Sequence, residues 1–162
     1  MSYPEPVYLG DTGETSAILR PATADADIVM ANGVQVSYLT TAAQSAGEFG
    51  LYRWDFGEQV GGPAPHFHRS ISESFFVLSG IVTLYDGVTE NEAGPGDFLF
   101  VPKGGIHSFR NDHGSASMLI LFTPGAPRES YFEMLAEVAA GRFTPTPEEA
   151  AAIFQENDQF YP

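Results

Sequence analysis

Three of the four histidines in this 162-residue chain fall in two short segments whose residue types suit a single metal ion. The first segment runs Gly61-Gly62-Pro63-Ala64-Pro65-His66-Phe67-His68-Arg69-Ser70-Ile71-Ser72-Glu73, and the second runs from Gly96 to Asn111 through Pro102, Gly104 and His107. Imidazole and carboxylate together suit first-row divalent metals such as Fe, Mn, Co, Ni, Cu or Zn. Side chains two apart on a strand point the same way. A strand through residues 66–68 would therefore project His66 and His68 from one face and turn Phe67 to the other. Glu73 lies five residues beyond His68 and can come from the next strand or its approach. His107 is remote in sequence and must be brought in by the fold. Ligands drawn from separate strands make a rigid site, which helps preorganise an open coordination position. The fourth histidine, His113, sits in the turn Asn111-Asp112-His113-Gly114 and reads as solvent-exposed.

The elements that must position these residues are mostly strands. Residues 1–33 are irregular and acidic, punctuated by Pro4, Pro6, Gly10, Gly13 and Pro21, and read as an arm laid on the surface of the domain or of a partner subunit. Residues 34–125 read as a β-barrel. Val34–Leu39 alternates apolar with polar after the turn pair Asn32-Gly33. Leu51–Phe56 puts Tyr52, Trp54 and Phe56 on one face and Arg53 and Asp55 on the other. Further strands are expected at Ser74–Leu78, Ile81–Tyr85, Asp97–Val101, His107–Arg110 and Ser117–Phe122, with turn signals between them. Glu90 and Glu92 read as a solvated hairpin face. Many short strands at even spacing argue for an all-β sandwich or barrel. Residues 126–162 change period. Tyr131, Met134, Leu135 and Val138 fall at helical spacing over Pro127–Ala140, with Gly141 as a stop. A second short helix starts at Thr146-Pro147-Glu148-Glu149, where Thr146 and Glu149 can form a capping box. These two short C-terminal helices extend the same domain, and the first could close the barrel mouth.

Composition narrows the function classes. Seven Lys and Arg against twenty-one Asp and Glu give a net charge of -14. Such a chain repels phosphate backbones and anionic lipid, so neither nucleic acid nor membrane is an expected partner. There are no cysteines, which excludes disulfides and thiolate metal sites. The N-terminus has no basic, then apolar, leader pattern, and no stretch approaches the roughly 18 apolar residues of a membrane span. A cytoplasmic protein is the expectation.

The two segments resemble the paired motifs of the cupin superfamily. In the first, His66-x-His68 is followed by four residues, Glu73, six residues and Gly80. In the second, Gly96 is followed by five residues, Pro102-x-Gly104, two residues, His107, three residues and Asn111. One position departs: the glycine usual six residues before the first histidine is replaced by Val60, with Gly61 and Gly62 directly after it, a shift that a loop can absorb. The resemblance covers residues 61–111. It implies a double-stranded β-helix (jelly-roll) barrel, usually dimeric, in which His66, His68, Glu73 and His107 hold one divalent transition metal ion. The fifteen residues between Gly80 and Gly96 match the compact microbial form of the family.

Three imidazoles and a carboxylate leave one or two positions for water, O2 or a chelating substrate. Glu73 then has two possible roles, as a permanent ligand or as a mobile general base. Phe75, Val77 and Phe109 share strand parity with Glu73 and His107 and are pocket candidates. Tyr52, Trp54 and Phe56 read first as core, with Trp54 kept as a further substrate contact. Within the superfamily the chain resembles the quercetin-dioxygenase-like cupins, partly through Thr123-Pro124-Gly125 and the helix after it. That implies a dioxygenase acting on a small enolisable or phenolic, flavonol-like substrate. A metal-dependent polyketide cyclase using no O2 is an alternative, as is a non-enzymatic small-ligand binder. Isomerase or lyase chemistry on a sugar or acid would need a cation inside the barrel. Only Arg53, Arg69, Lys103 and Arg110 lie near the motifs, and none reads as pointing inward.

Overall fold

Alternation of apolar and polar residues builds the sheets. In the computed structural model, which describes residues 2–162, the strands are β1 (Ile28–Val29), β2 (Gln35–Thr40), β3 (Gly50–Asp55), β4 (Ser72–Ser79), β5 (Val82–Tyr85), β6 (Glu90–Ala93), β7 (Phe98–Val101), β8 (Ser108–Arg110) and β9 (Ser117–Thr123). They form a six-stranded sheet in the order β1-β2-β3-β9-β4-β7 and a three-stranded sheet in the order β6-β5-β8. Every strand pair is antiparallel. Tyr52 and Trp54 on β3, Phe75 and Val77 on β4, and Met118, Ile120 and Phe122 on β9 all turn inward and are buried. Phe109 on β8 meets them from the other sheet, with ring centroids 6.2 Å from Trp54, 5.9 Å from Phe56 and 5.4 Å from Phe75. The result is the all-β jelly-roll barrel expected from the sequence.

Three local features differ from the sequence expectation. Residues 66–68 lie on no strand. Pro63 and Pro65 remove two backbone donors just upstream, and what remains is a single bridge from His66 to His107 and another from Phe67 to Phe160. Ile28–Val29, within the expected arm, pairs with Val36 and Gln35 at the edge of the large sheet. Glu90–Ala93 pairs with β5 as β6. Only Ala93 of that strand is buried, so its pattern carries little apolar signal.

The two helices follow β9. Helix α1 (Glu129–Ala139) buries Tyr131 and Phe132, and Phe132 packs edge-on to Trp54 and Tyr52 at 5.5 and 5.2 Å. Tyr52 also donates its hydroxyl to Glu129 Oε1 at 2.5 Å, tying β3 to the first turn of α1. Helix α2 (Pro147–Glu156) starts with the full capping box: Glu149 N donates to Thr146 Oγ1 at 3.2 Å and Thr146 N to Glu149 Oε2 at 2.8 Å. Among the described residues no helix is long and apolar enough to cross a membrane.

Candidate metal centre and its cavity

The backbone brings the histidines together before any side chain acts. His66 and His107 exchange reciprocal N–H to carbonyl bonds, both 2.9 Å, so their side chains leave the bridge side by side with ring centroids 4.4 Å apart. Gly104 N donates to the His68 carbonyl at 2.7 Å, which fixes the third histidine to the loop carrying His107. Glu73 enters from β4, where it pairs with Phe122 on one side and Val101 on the other. All four side chains are buried, and one ligand atom from each lies within 4.8 Å of the others.

Two residues shape the loop that delivers His66. Asn111 is fully buried; its Oδ1 accepts from Gly61 N at 2.8 Å while Nδ2 donates to the carbonyls of Gly57, Gln59 and Gly114. Gly62 passes so close to the chain that a Cβ there would lie 1.8 Å from the Phe109 carbonyl oxygen. Only glycine fits at position 62, whereas a Cβ at Gly61 would meet nothing nearer than 4.0 Å.

Hydrogen bonding sets the chemistry of the donor set. Each imidazole has Nδ1 against a backbone carbonyl: His66 to Ala64 at 2.9 Å, His68 to Asp158 at 2.6 Å and His107 to Gly105 at 3.0 Å. A carbonyl only accepts, so Nδ1 carries the proton in all three rings and Nε2 is the metal-facing atom. His68 Nε2 and His107 Nε2 lie 3.0 and 2.8 Å from the same oxygen, Glu73 Oε2. Metal–nitrogen and metal–oxygen bonds of about 2.1 Å put ligand atoms at right angles about 3 Å apart. The group therefore fits a divalent transition metal held by His66, His68, Glu73 and His107.

Electrostatics point the same way. Burial disfavours the Glu73 charge, but hydrogen bonds from His107 and His68 outweigh it and hold the carboxyl well below its usual range. Burial also pulls His107 down, yet Glu73 more than offsets this and its pKa ends up raised. His66 is driven down to about 4 by burial and by the neighbouring His107, so it stays a neutral donor.

The centre opens on a cavity of about 340 Å³ lined by His66 and Glu73 and walled by aromatic side chains. That volume lies within the range of small-molecule sites. Trp54 and Phe109 line it, together with Phe132 and Leu135 from α1 and Phe154 from α2. Phe75 and Val77, expected in the pocket, are instead fully buried and do not line it, and the Phe75 ring lies 5.8 Å from His107.

The sequence reading missed one residue altogether. Arg128, at the N-terminus of α1, is buried and lines this cavity. The expectation that the barrel holds no cation is thereby overturned. Arg128 lies seventeen residues past the second motif, and only the packing of α1 carries it inward. Burial pushes its pKa down, and the charge of Glu73 partly restores it. Arg53, Arg69, Lys103 and Arg110 stay on the outside: Arg53 pairs with Asp55, Arg110 with Glu90 and Asp112, and Arg69 lies over Phe160. His113 is exposed, 3.1 Å from Glu92.

Known proteins agree with this architecture. Residues 52–123 match the family described as a cupin domain. The chain is 34% identical over 80 residues to quercetin 2,3-dioxygenase of Bacillus subtilis (strain 168), covering 49% of this chain and 23% of that protein. It is 35% identical over 60 residues to an uncharacterized protein of Aquifex aeolicus (strain VF5), covering 37% of this chain and 50% of the relative. These matches thus span half or less of each relative's length. Among solved structures, a predicted oxalate decarboxylase from Thermotoga maritima superposes with a TM-score of 0.59 at 16% identity, covering 67% of this chain and 99% of that one. KdgF from Halomonas sp. superposes with a TM-score of 0.55 at 16% identity, covering 64% and 90%. At such identities the likeness is one of fold.

Proposed function

We propose that the chain is a member of the cupin superfamily, as its cupin-domain match over residues 52–123 supports, and that it is a metal-dependent dioxygenase acting on a small enolisable or phenolic substrate. The observation that carries this reading is the buried three-histidine, one-glutamate cluster at the end of an aromatic-walled cavity. The similarity of half the chain to a quercetin 2,3-dioxygenase supports the choice of reaction.

When bound, a divalent ion would supply Lewis acidity toward a substrate oxygen. The remaining work falls to the protein. The Nδ1–carbonyl bonds hold three Nε2 lone pairs convergent without reorganisation. Glu73 is kept ionised, and with Oε2 turned to His68 and His107, Oε1 is the oxygen that takes the proton of an enol or phenol. Trp54 and Phe109 hold a planar ring while Phe132, Leu135 and Phe154 exclude water above it. O2 then adds to the electron-rich carbon so formed. Both oxygen atoms enter the products, and no external reductant is required.

The test is O2 consumption by protein loaded in turn with Fe, Mn, Co, Ni, Cu and Zn, offered flavonols and simpler enolisable phenols. Uptake should depend on substrate and fall at least about 100-fold in Glu73→Gln, the loss expected for a general base. Turnover of substrate without O2 uptake would overturn the dioxygenase reading and point to ring closure or isomerisation on the same centre. We further propose that the protein works as a homodimer, as supported by an exposed apolar sheet face.

A further inference from the structure

Arg128 is the one buried cation of the chain's seven, and the fold leaves it underused. A guanidinium carries five N–H donors and accepts nothing. Here Nη1 donates to the Asn157 carbonyl at 2.7 Å, while Nε is buried without a partner. Among the described residues no carboxylate pairs with it as a salt bridge. Three rings cushion it instead, with Cζ 4.6 Å from the Tyr131 centroid, 4.9 Å from Phe122 and 5.7 Å from Phe132. Phe122 in turn lies 6.3 Å from the His68 ring, so a single aromatic side chain touches both Arg128 and a metal ligand.

Aromatic faces attract a cation but leave its N–H groups unsatisfied, and a buried charge without a counterion is costly. Among the described residues the one side-chain hydrogen bond of Arg128 is that to Asn157, and Arg128 lines the cavity, so an occupant of the cavity can supply an acceptor. Glu73 is the sole carboxylate of its lining, and that group is committed to His68 and His107. A second residue of the lining has a stranded donor: Trp54 Nε1 is buried and unpartnered. Among the described residues, two of the four buried polar side-chain atoms without partners thus belong to residues of one cavity, and both are donors. An aromatic-walled space that also holds a forked cation calls for a flat ring bearing a planar anion with two oxygens.

We propose that Arg128 is a specificity-determining residue that binds an anionic group of the substrate, a carboxylate or an equivalent planar two-oxygen anion on an aromatic body. This rests on the reading of the cavity as a substrate site and narrows the substrate class within it. Neutral aromatics of the same shape enter less favourably because they leave the guanidinium unpaired. Bidentate pairing explains why arginine serves here and why lysine would be a poor replacement.

Binding can be measured apart from turnover. Metal-free and zinc-loaded protein is titrated calorimetrically with 2-naphthoate and with 2-naphthamide, its neutral counterpart, while the fluorescence of the single tryptophan, Trp54, reports entry into the cavity. The metal-free protein should bind the acid at least tenfold more tightly than the amide. Arg128→Met should abolish that ratio with the amide affinity kept, and Arg128→Lys should restore only part of it. Equal affinity for acid and amide in the wild-type protein, which needs no variant to fold, would overturn the proposal. So would an undiminished ratio in a folded Arg128→Met. Because the metal-free protein does no oxygen chemistry, an intact acid preference without O2 uptake would sink the dioxygenase reading alone.

Discussion

At the scale of single residues, the centre is defined by which nitrogen of each histidine is spoken for. Backbone carbonyls occupy Nδ1 of His66, His68 and His107, so none of the rings can rotate to another tautomer without losing a buried bond. With Nδ1 protonated, His68 and His107 can both donate to Glu73 only if each also carries a proton on Nε2. Two imidazolium ions in a buried pocket are unfavourable, and a divalent cation resolves the conflict by replacing both protons. Removing one ring should therefore empty the centre. His107→Ala deletes the fully buried imidazole that sits between Glu73 and His66. Its backbone can still exchange both bonds with His66, so the fold persists. Elemental analysis of the purified variant should give only background metal while far-UV circular dichroism matches wild type. Stoichiometric metal in this variant would refute the assignment of His107 as a ligand.

At the scale of elements, the C-terminal tail packs directly against the candidate metal centre. After α2 the chain turns at Asp158, a non-glycine residue with φ +55°. The Asp158 carbonyl accepts from His68 Nδ1, its carboxylate accepts from Arg69 N, Ser70 N and Ser70 Oγ, and Phe160 bridges to Phe67. Four residues, Phe67 to Ser70, are thus clamped by a segment some ninety positions away. Asp158→Gly keeps the positive φ at no steric cost but removes the carboxylate anchor. It should weaken metal binding roughly tenfold, the lower end of what a lost outer-shell contact costs, with little change in barrel melting. Competition against a chromogenic chelator reads the affinity, and an unchanged value would show that the tail is only packed beside the centre. This dependence was not legible in the sequence. His66, His68, Glu73 and His107 could be read there because each is fixed by a short interval to a turn or strand that the same segment encodes. Asp158 and Arg128 act through helix docking, and no local pattern marks where α1 and α2 will settle. The same logic explains β6: Glu90–Ala93 pairs with β5 over four residues, whereas Glu90 and Glu92 by themselves read only as a solvated hairpin face. The two-residue spacing of His66 and His68 predicts one face of a strand, but residues 66–68 lie on no strand and the two rings sit 5.1 Å apart. The reciprocal bridge to His107 fixes His66, and the bond from Gly104 N fixes His68.

At the scale of the whole molecule, the large sheet has an outer face that water meets poorly. Phe98 and Phe100 on β7 are 62% and 56% exposed, and register pairs Phe98 with Phe76 of β4, itself 39% exposed. β7 is an edge strand, so the patch adjoins an open row of backbone groups of the kind proteins cover or guard. The N-terminal segment adds Val7, Leu9, Ile18 and Leu19, each at least 80% exposed. Clustered exposed apolar side chains mark association surfaces. Opposing this, each copy carries a net charge of -14, so two copies repel until salt screens them. At about 0.15 M ionic strength the screening length is about 8 Å, short enough for a contact between apolar faces to prevail. Light scattering coupled to size exclusion should then report twice the 17.5 kDa chain mass, with dissociation on lowering the salt. Phe98→Glu combined with Phe100→Glu places new charges on the face without touching the core. The pair should give a monomer that still binds metal. A wild-type protein that runs as a monomer at every ionic strength would remove the homodimer from consideration. A double variant that remains dimeric would move the interface to another face.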